Sequence, residues 1–89
     1  MRLNLRLSPS LQQTIAGKLE VELKGETLQG CITAGINSYP EINDILFQGT
    51  HINPQILLFH NNTVIKSKDF HNVITDGDVL DVIPAIEAG

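Results

Sequence analysis

At 89 residues, 42% of them hydrophobic and 18% charged, the chain has the composition of one small globular domain and not of a disordered segment. Six Lys and Arg against ten Asp and Glu give a net charge of −4, which argues against non-specific nucleic-acid binding; no apolar run approaches the roughly 20 residues of a membrane span. A single cysteine, Cys31, excludes an internal disulfide and any site built on four thiolates.

The opening MRLNLRLSPS lacks the unbroken apolar stretch of a signal peptide, so a cytoplasmic location is expected. Residues 2 to 7, RLNLRL, alternate strictly and place Leu3, Leu5 and Leu7 on one face of a strand, which Ser8, Pro9 and Ser10 then end. KLEVELK, 18 to 24, repeats the pattern with Leu19, Val21 and Leu23 inward and Lys18, Glu20, Glu22 and Lys24 toward water. Two such runs read as an antiparallel pair. Gly25 breaks the second, and Thr27 is placed to cap a helix. Leu28, Cys31, Ile32, Gly35 and Ile36 then fall on one helical face, and Asn37 and Pro40 mark its end. Gly30 and Gly35 cost this helix about 1 kcal/mol each relative to Ala, so packing has to hold it.

Residues 41 to 55 are ambiguous between a short helix and loop. ILLFH (56 to 60) is a third strand. Asn61-Asn62 suits a tight turn because Asn tolerates positive φ, and TVIK (63 to 66) pairs back across it. Asp76-Gly77 signals another turn, and VLDVI (79 to 83) is the last strand. The order is β-β-α-β-β-β, and its simplest packing lays the helix across one mixed sheet. Leu5, Leu19, Val21, Leu28, Ile32 and Val82 are expected among the most buried side chains.

The ending DGDVLDVIPAIEAG, with this element order, resembles the ubiquitin-like β-grasp sulfur carriers of the MoaD and ThiS group. Asp76, Gly77 and Asp78 correspond to the family's turn, Leu80 and Val82 to its core positions and Pro84 to its proline; the hairpin HNNTVI is also similar. Where the family ends in Gly-Gly, this chain ends in Ala88-Gly89. The resemblance implies an α+β fold, the ubiquitin-like β-grasp, with a mixed sheet of four to five strands and one main helix packed across it. Residues 1–83 would form the domain and 84–89 a flexible tail.

The resemblance further implies that a ubiquitin-activating-type enzyme, similar to MoeB or ThiF, adenylates the carboxylate of Gly89 using ATP and magnesium. Sulfur then replaces AMP, and the thiocarboxylate serves a synthase subunit similar to MoaE or to thiazole synthase. The chain itself would bind no cofactor and would not be an enzyme alone. Pro84, Ala85, Ile86, Glu87 and Ala88 would thread the partner's channel. Beside the tail the family exposes apolar side chains for docking. If Leu80 and Val82 face the helix, Ile83 faces away; on the third strand either Leu57 and Phe59 or Ile56 and Leu58 point outward. Placing Phe59 in the core selects Leu58 and Ile83 as the docking pair. Neither a nucleic acid nor a membrane is an expected partner.

The remaining chemistry-bearing residues have plainer readings. Cys31 lies on the apolar helix face, as a small buried hydrophobe does. His51, His60 and His71 lack the i, i+4 spacing of a helical metal site, and turn formation accounts for Asp76 and Asp78. Two other readings stay open: a ubiquitin-like modifier joined to lysines through Gly89, and a β-grasp interaction module with an inert tail. The sequence does not name the pathway receiving sulfur, whether molybdopterin, thiamine, an amino acid or another.

Overall fold

The computed structural model describes residues 1–88. Strand β1 (Arg2–Leu7) runs into a single 3-10 turn, Pro9–Leu11; β2 (Glu20–Lys24) returns antiparallel, with Leu5 opposite Val21 and Leu3 opposite Leu23. Helix α1 (Leu28–Ser38) follows, then a short helix α2 (Glu41–Leu46) and a two-stranded ribbon, β3 (Phe47–Gln48) with β4 (His51–Ile52). Next come β5 (Ile56–His60), β6 (Thr63–Ile65), a 3-10 turn at 67–69, β7 (Asp78–Pro84) and one helical turn, α3 (Ala85–Ala88). The main sheet has the order β2-β1-β7-β5-β6; β1 and β7 are parallel and the other neighbours antiparallel. First and last strands therefore lie side by side, with β7 at the centre.

One core explains the layers. The alternation of β1 sends Leu3, Leu5 and Leu7 to the face that α1 covers with Leu28, Cys31 and Ile32, all buried. Each fully buried side chain of this size contributes about 1.5–3 kcal/mol. The N-cap forms as expected, with Thr27 Oγ1 accepting from the Gly30 N–H at 3.0 Å. Gly35 has a packing role that outweighs its poor helix propensity. A Cβ there would sit 2.8 Å from Leu23 Cδ2 and 3.1 Å from Ile42 Cδ1, so the missing side chain lets α1 press onto β2. Among the described residues no buried side-chain N or O atom lacks a hydrogen-bond partner.

One expectation needs correction here, and two readings are refined. Leu19 is 41% exposed. The strand, expected from residue 18, begins at Glu20, and the core at that end is filled by Ile15, fully buried in the tight Ile15–Lys18 turn, where Ala16 and Gly17 take left-handed φ values of 51° and 77°. Ile36 is only half-buried, at the rim of the helix face. The ambiguous stretch 41–55 is ordered, because Ile42, Ile45 and Leu46 of α2 extend the core beneath one end of the sheet.

Candidate functional site

The site is built around β7. Gly77 adopts a φ of 90°, a conformation that favours glycine, and so turns the chain into the strand. Asp78 secures the turn by accepting from the Thr75 N–H at 2.9 Å, and its Oδ2 lies 2.8 Å from His60 Nε2. Burial pushes the Asp78 carboxyl up. Hydrogen bonds from the Thr75 backbone, the Asn61 side chain and His60 outweigh this and hold it below the ordinary carboxylate range. Asp76 accepts from the Arg2 backbone N–H at 2.8 Å and from its guanidinium at 2.9 Å, which lowers the Asp76 carboxyl as well. Both acids are turn-formers, as their positions suggested. At the far end of β5 the two-residue turn Asn61-Asn62 takes φ values of 48° and 71°, and Asn61 Oδ1 accepts from the Val79 N–H at 2.9 Å. The β5–β6 hairpin is thereby tied to the start of β7.

From that anchored start β7 alternates. Leu80 and Val82 are fully buried; Val79, Asp81 and Ile83 face the side of the sheet away from the helix. Partners opposite one another in a sheet share a face, and Leu58 is opposite Val82. Leu58 is accordingly 1% exposed and belongs to the core. Leu58, expected to point outward, therefore points inward, and its neighbours point outward: Leu57 opposite Ile83, and Phe59 opposite both Asp81 and Val64. Leu57, Phe59 and Ile83 are half-buried and Val64 is half-exposed. Together they form an apolar outward patch across β6, β5 and β7. Ile83 stands where it was expected. Phe59, expected in the core, instead faces outward with Leu57, because ILLFH is apolar at four consecutive positions and period two alone does not choose a face; Val64, on the next strand, was not anticipated.

A charged border closes the patch. Arg6 makes a two-pronged contact with Asp81, Nε to Oδ1 at 2.8 Å and Nη2 to Oδ2 at 3.0 Å, and this raises the Arg6 guanidinium above its ordinary value. Exposed pairs of this kind contribute little to stability. Here the pair orients two charges beside apolar side chains.

The chain leaves the sheet next to this patch. Pro84 is still paired, opposite Ile56, and the Ala85 N–H donates to Gln55 O at 2.9 Å. The last strand, expected over 79 to 83, thus runs from Asp78 through Pro84. Residues 85–88, which fall within the expected tail, form the helical turn α3, whose first N–H finds its acceptor at Gln55 just before β5. Ile86 is 90% exposed, and a groove of about 540 Å³ lies at the base of this turn, lined by Leu11, Asp44, Ile45, Ile56, Pro84 and Ala85. The side chains of Glu87 and Ala88, and Gly89 altogether, lie outside the described residues.

Among the described residues there is no group of three or more His, Cys, Asp or Glu side chains able to hold a metal ion. No described helix is long and apolar enough to cross a membrane. Cys31 is buried and its thiol is pushed up by desolvation, which disfavours the reactive thiolate.

The overall arrangement matches solved structures along nearly the whole chain. A chain of the Amycolatopsis orientalis BexX/CysO complex superposes with a TM-score of 0.76 at 23% identity, covering 93% of this chain and 94% of that one. The fold is the ubiquitin-like β-grasp. The small archaeal modifier protein 1 of Methanosarcina acetivorans shares this β-grasp with a TM-score of 0.74 at 19% identity, over 99% of this chain and 96% of that one. A putative molybdopterin converting factor, subunit 1, from Pyrococcus furiosus does so with a TM-score of 0.66 at 17% identity, over 94% and 97%. No protein-family model and no curated protein matches the sequence. These likenesses establish the β-grasp, and function has to be argued from the site it carries.

Proposed function

We propose that this chain is a sulfur carrier of the MoaD and ThiS kind, activated at the carboxylate of Gly89. One observation supports the reading: the central strand of the sheet hands the chain off at Pro84 beside an apolar outward patch, the place from which a carrier would present its tail to a partner. A cytoplasmic adenylating enzyme of the ubiquitin-activating type, similar to MoeB or ThiF, would dock on Leu57, Phe59, Val64 and Ile83 and take in Pro84 to Gly89. Within that enzyme, with magnesium present, a carboxylate oxygen of Gly89 attacks the α-phosphorus of ATP and pyrophosphate leaves. A sulfide-level nucleophile then adds at the acyl carbon and AMP departs, leaving a thiocarboxylate. One difficult substitution becomes two easier ones. A synthase subunit similar to MoaE or to thiazole synthase would accept the sulfur.

The chain's own part is delivery. As a helical turn, residues 85–88 rise about 1.5 Å each; drawn out they reach up to about 3.5 Å each, so unwinding α3 roughly doubles the reach of the end. A single turn is far below the length at which helices are stable alone, so a partner can unwind it at little cost. Gly89 has no Cβ to obstruct attack on its carbonyl carbon.

The likeness to a molybdopterin converting factor subunit supports the carrier reading. The likeness to a small archaeal modifier protein favours a second one, in which the activated Gly89 is joined to lysines of other proteins. Mass spectrometry separates them: a thiocarboxylate adds about 16 Da to the free chain, whereas a conjugate adds nearly the 9.8 kDa of the chain itself. An inert interaction module would show neither.

The experiment measures AMP formation with an adenylating partner for the intact chain, for a variant lacking Gly89 and for Ala88→Gly. Deleting Gly89 withdraws the reactive carbon by about 3.5 Å, where even about 1 Å can cost a hundredfold in rate. Loss of activation is therefore expected for the deletion and not for Ala88→Gly, which only removes a methyl. A deletion variant activated as fast as the intact chain overturns the proposal.

A further inference from the structure

The apolar patch and the tail occupy one half of the sheet; the other half ends in an edge strand with a pairing pattern of its own. β2 is the outermost strand, and its neighbour β1 takes only half of its backbone groups. The Leu7 N–H donates to Leu19 O at 2.7 Å, and the Gly25 N–H donates to Met1 O at 3.1 Å. In an antiparallel ladder bonded pairs recur at every second residue, so positions 19, 21, 23 and 25 turn toward β1. Glu20, Glu22 and Lys24 turn their N–H and C=O groups to the open side. Behind this edge a groove of about 210 Å³ is lined by Leu23 of β2 and by Ala34, Gly35, Ser38 and Tyr39 at the end of α1.

We infer that the β2 edge pairs with the β2 edge of a second copy of this chain, antiparallel, about a two-fold axis at Leu23. Charge decides the occupant and the register. A bonded pair across such an axis must join two residues whose backbone faces out, which leaves few choices within Glu20–Lys24. Setting Glu20 opposite Glu22 gives two carboxylate pairs, and setting Glu22 opposite its own copy puts one carboxylate pair on the axis between two Glu20–Lys24 pairs. Setting Glu22 opposite Lys24 of the second copy gives an opposite-charge pair, and the two-fold repeats it. Opposite charges directly across a ladder stabilise it and like charges weaken it.

Charged edge residues often serve to keep a sheet from pairing. Here their order along the strand, acid at 22 and base at 24, makes them complementary to themselves. The contact is compatible with the charges already present: Glu22 is 47% exposed and only 4.0 Å from Arg2, so it keeps a free face for a second cation. In this register Leu23 meets its own copy on the helix side of the sheet. The small side chains of Ala34 and Ser38 leave the groove open there for the second α1. Each copy then has five strands of a continuous ten-stranded sheet, with the apolar patch and the tail left free at both outer halves.

The test is sedimentation equilibrium of the full chain from micromolar to millimolar concentration, with Glu22→Lys, Lys24→Glu and the double swap. Far-ultraviolet circular dichroism checks that each variant is folded. Each single swap replaces both opposite-charge pairs by like-charge pairs and is expected to raise the dimer dissociation constant about tenfold or more; the double swap should return it to within about threefold of the parent. Amide exchange supplies a second readout: the Glu22 and Lys24 N–H groups should become protected as concentration rises. A chain that stays monomeric to millimolar concentration overturns the inference. So does a dimer indifferent to the swaps, or an edge that binds only an extended segment of another protein.

Discussion

Leu57 and Leu58 are adjacent in sequence, identical in chemistry and opposite in role, so truncating each in turn tests the register on which the site rests. Leu58 is 1% exposed and lies opposite Val82 in the centre of the core. Leu58→Ala removes three buried carbons and leaves a cavity, at a cost of about 2–5 kcal/mol. Domains of this size hold about 5–15 kcal/mol in all. At roughly 4–8 °C of melting temperature per kcal/mol, that cost lowers the midpoint by about 8–40 °C. Leu57 is half-buried on the outward face, where truncation opens no cavity, and Leu57→Ala should cost less than about 1 kcal/mol. Urea denaturation followed by circular dichroism measures both, with unchanged slopes showing that the two-state comparison holds. Binding to an adenylating partner should reverse the order, with Leu57→Asp folded but impaired. If Leu57→Ala destabilises as much as Leu58→Ala, the strand faces are assigned the wrong way and the patch does not exist.

Three other outcomes follow from the structure. Ile83→Asp should leave the fold intact and weaken partner binding by several kcal/mol, since docking would bury an unpaired carboxylate; calorimetry showing unchanged affinity removes Ile83 from the patch. Gly35→Ala gains about 1 kcal/mol of helix propensity but forces a methyl against Leu23 and Ile42, at about 1–3 kcal/mol, so a net loss of stability is expected in urea and a net gain would mean that α1 is free to lift. The carboxyls of Asp76 and Asp78 lie below their ordinary range in the folded state. Their contribution is complete above the unfolded value of about 3.9 and is lost as pH falls through the lower folded values. Asp78→Asn should therefore be less stable than the parent at neutral pH and show a shallower loss on acidification; parallel curves would refute this.

Much of the architecture was legible because several segments obey one strong local rule. Strict alternation specified β1 and the inner half of β2, Thr27 marked the start of α1, and Asn61-Asn62 marked the hairpin. Where two readings satisfied the same local rule, tertiary structure decided. ILLFH is apolar on both faces, so only pairing with β7 shows that Leu58 is core and Leu57 is surface. Leu19 fits the alternation of β2 but loses its core place to Ile15, a competitor supplied by a turn that hydrophobic periodicity does not register. The helical turn at 85–88 depends on Gln55 O, an acceptor 30 residues away in sequence. The acids of the turn and the location of Ile83 were readable because each depends mainly on its immediate neighbours.

The parallel pairing of β1 with β7 has a consequence for how the molecule is made. The middle of the sheet joins residues about 75 positions apart, as the Arg6–Asp81 contact spans. Contacts of such separation form late, because a long loop must close before they repay its entropy. On the ribosome, β1 and β2 can pair early, but β1 keeps an unsatisfied flank until the last strand emerges. A chain interrupted before residue 78 would lack the centre of its sheet and expose two apolar strand edges, the kind of surface that aggregates or is degraded. Completion of the sheet thus waits for β7, and the same strand sets the point at which Pro84 and Ala85 leave it. Truncated products should not survive as folded competitors of the intact chain.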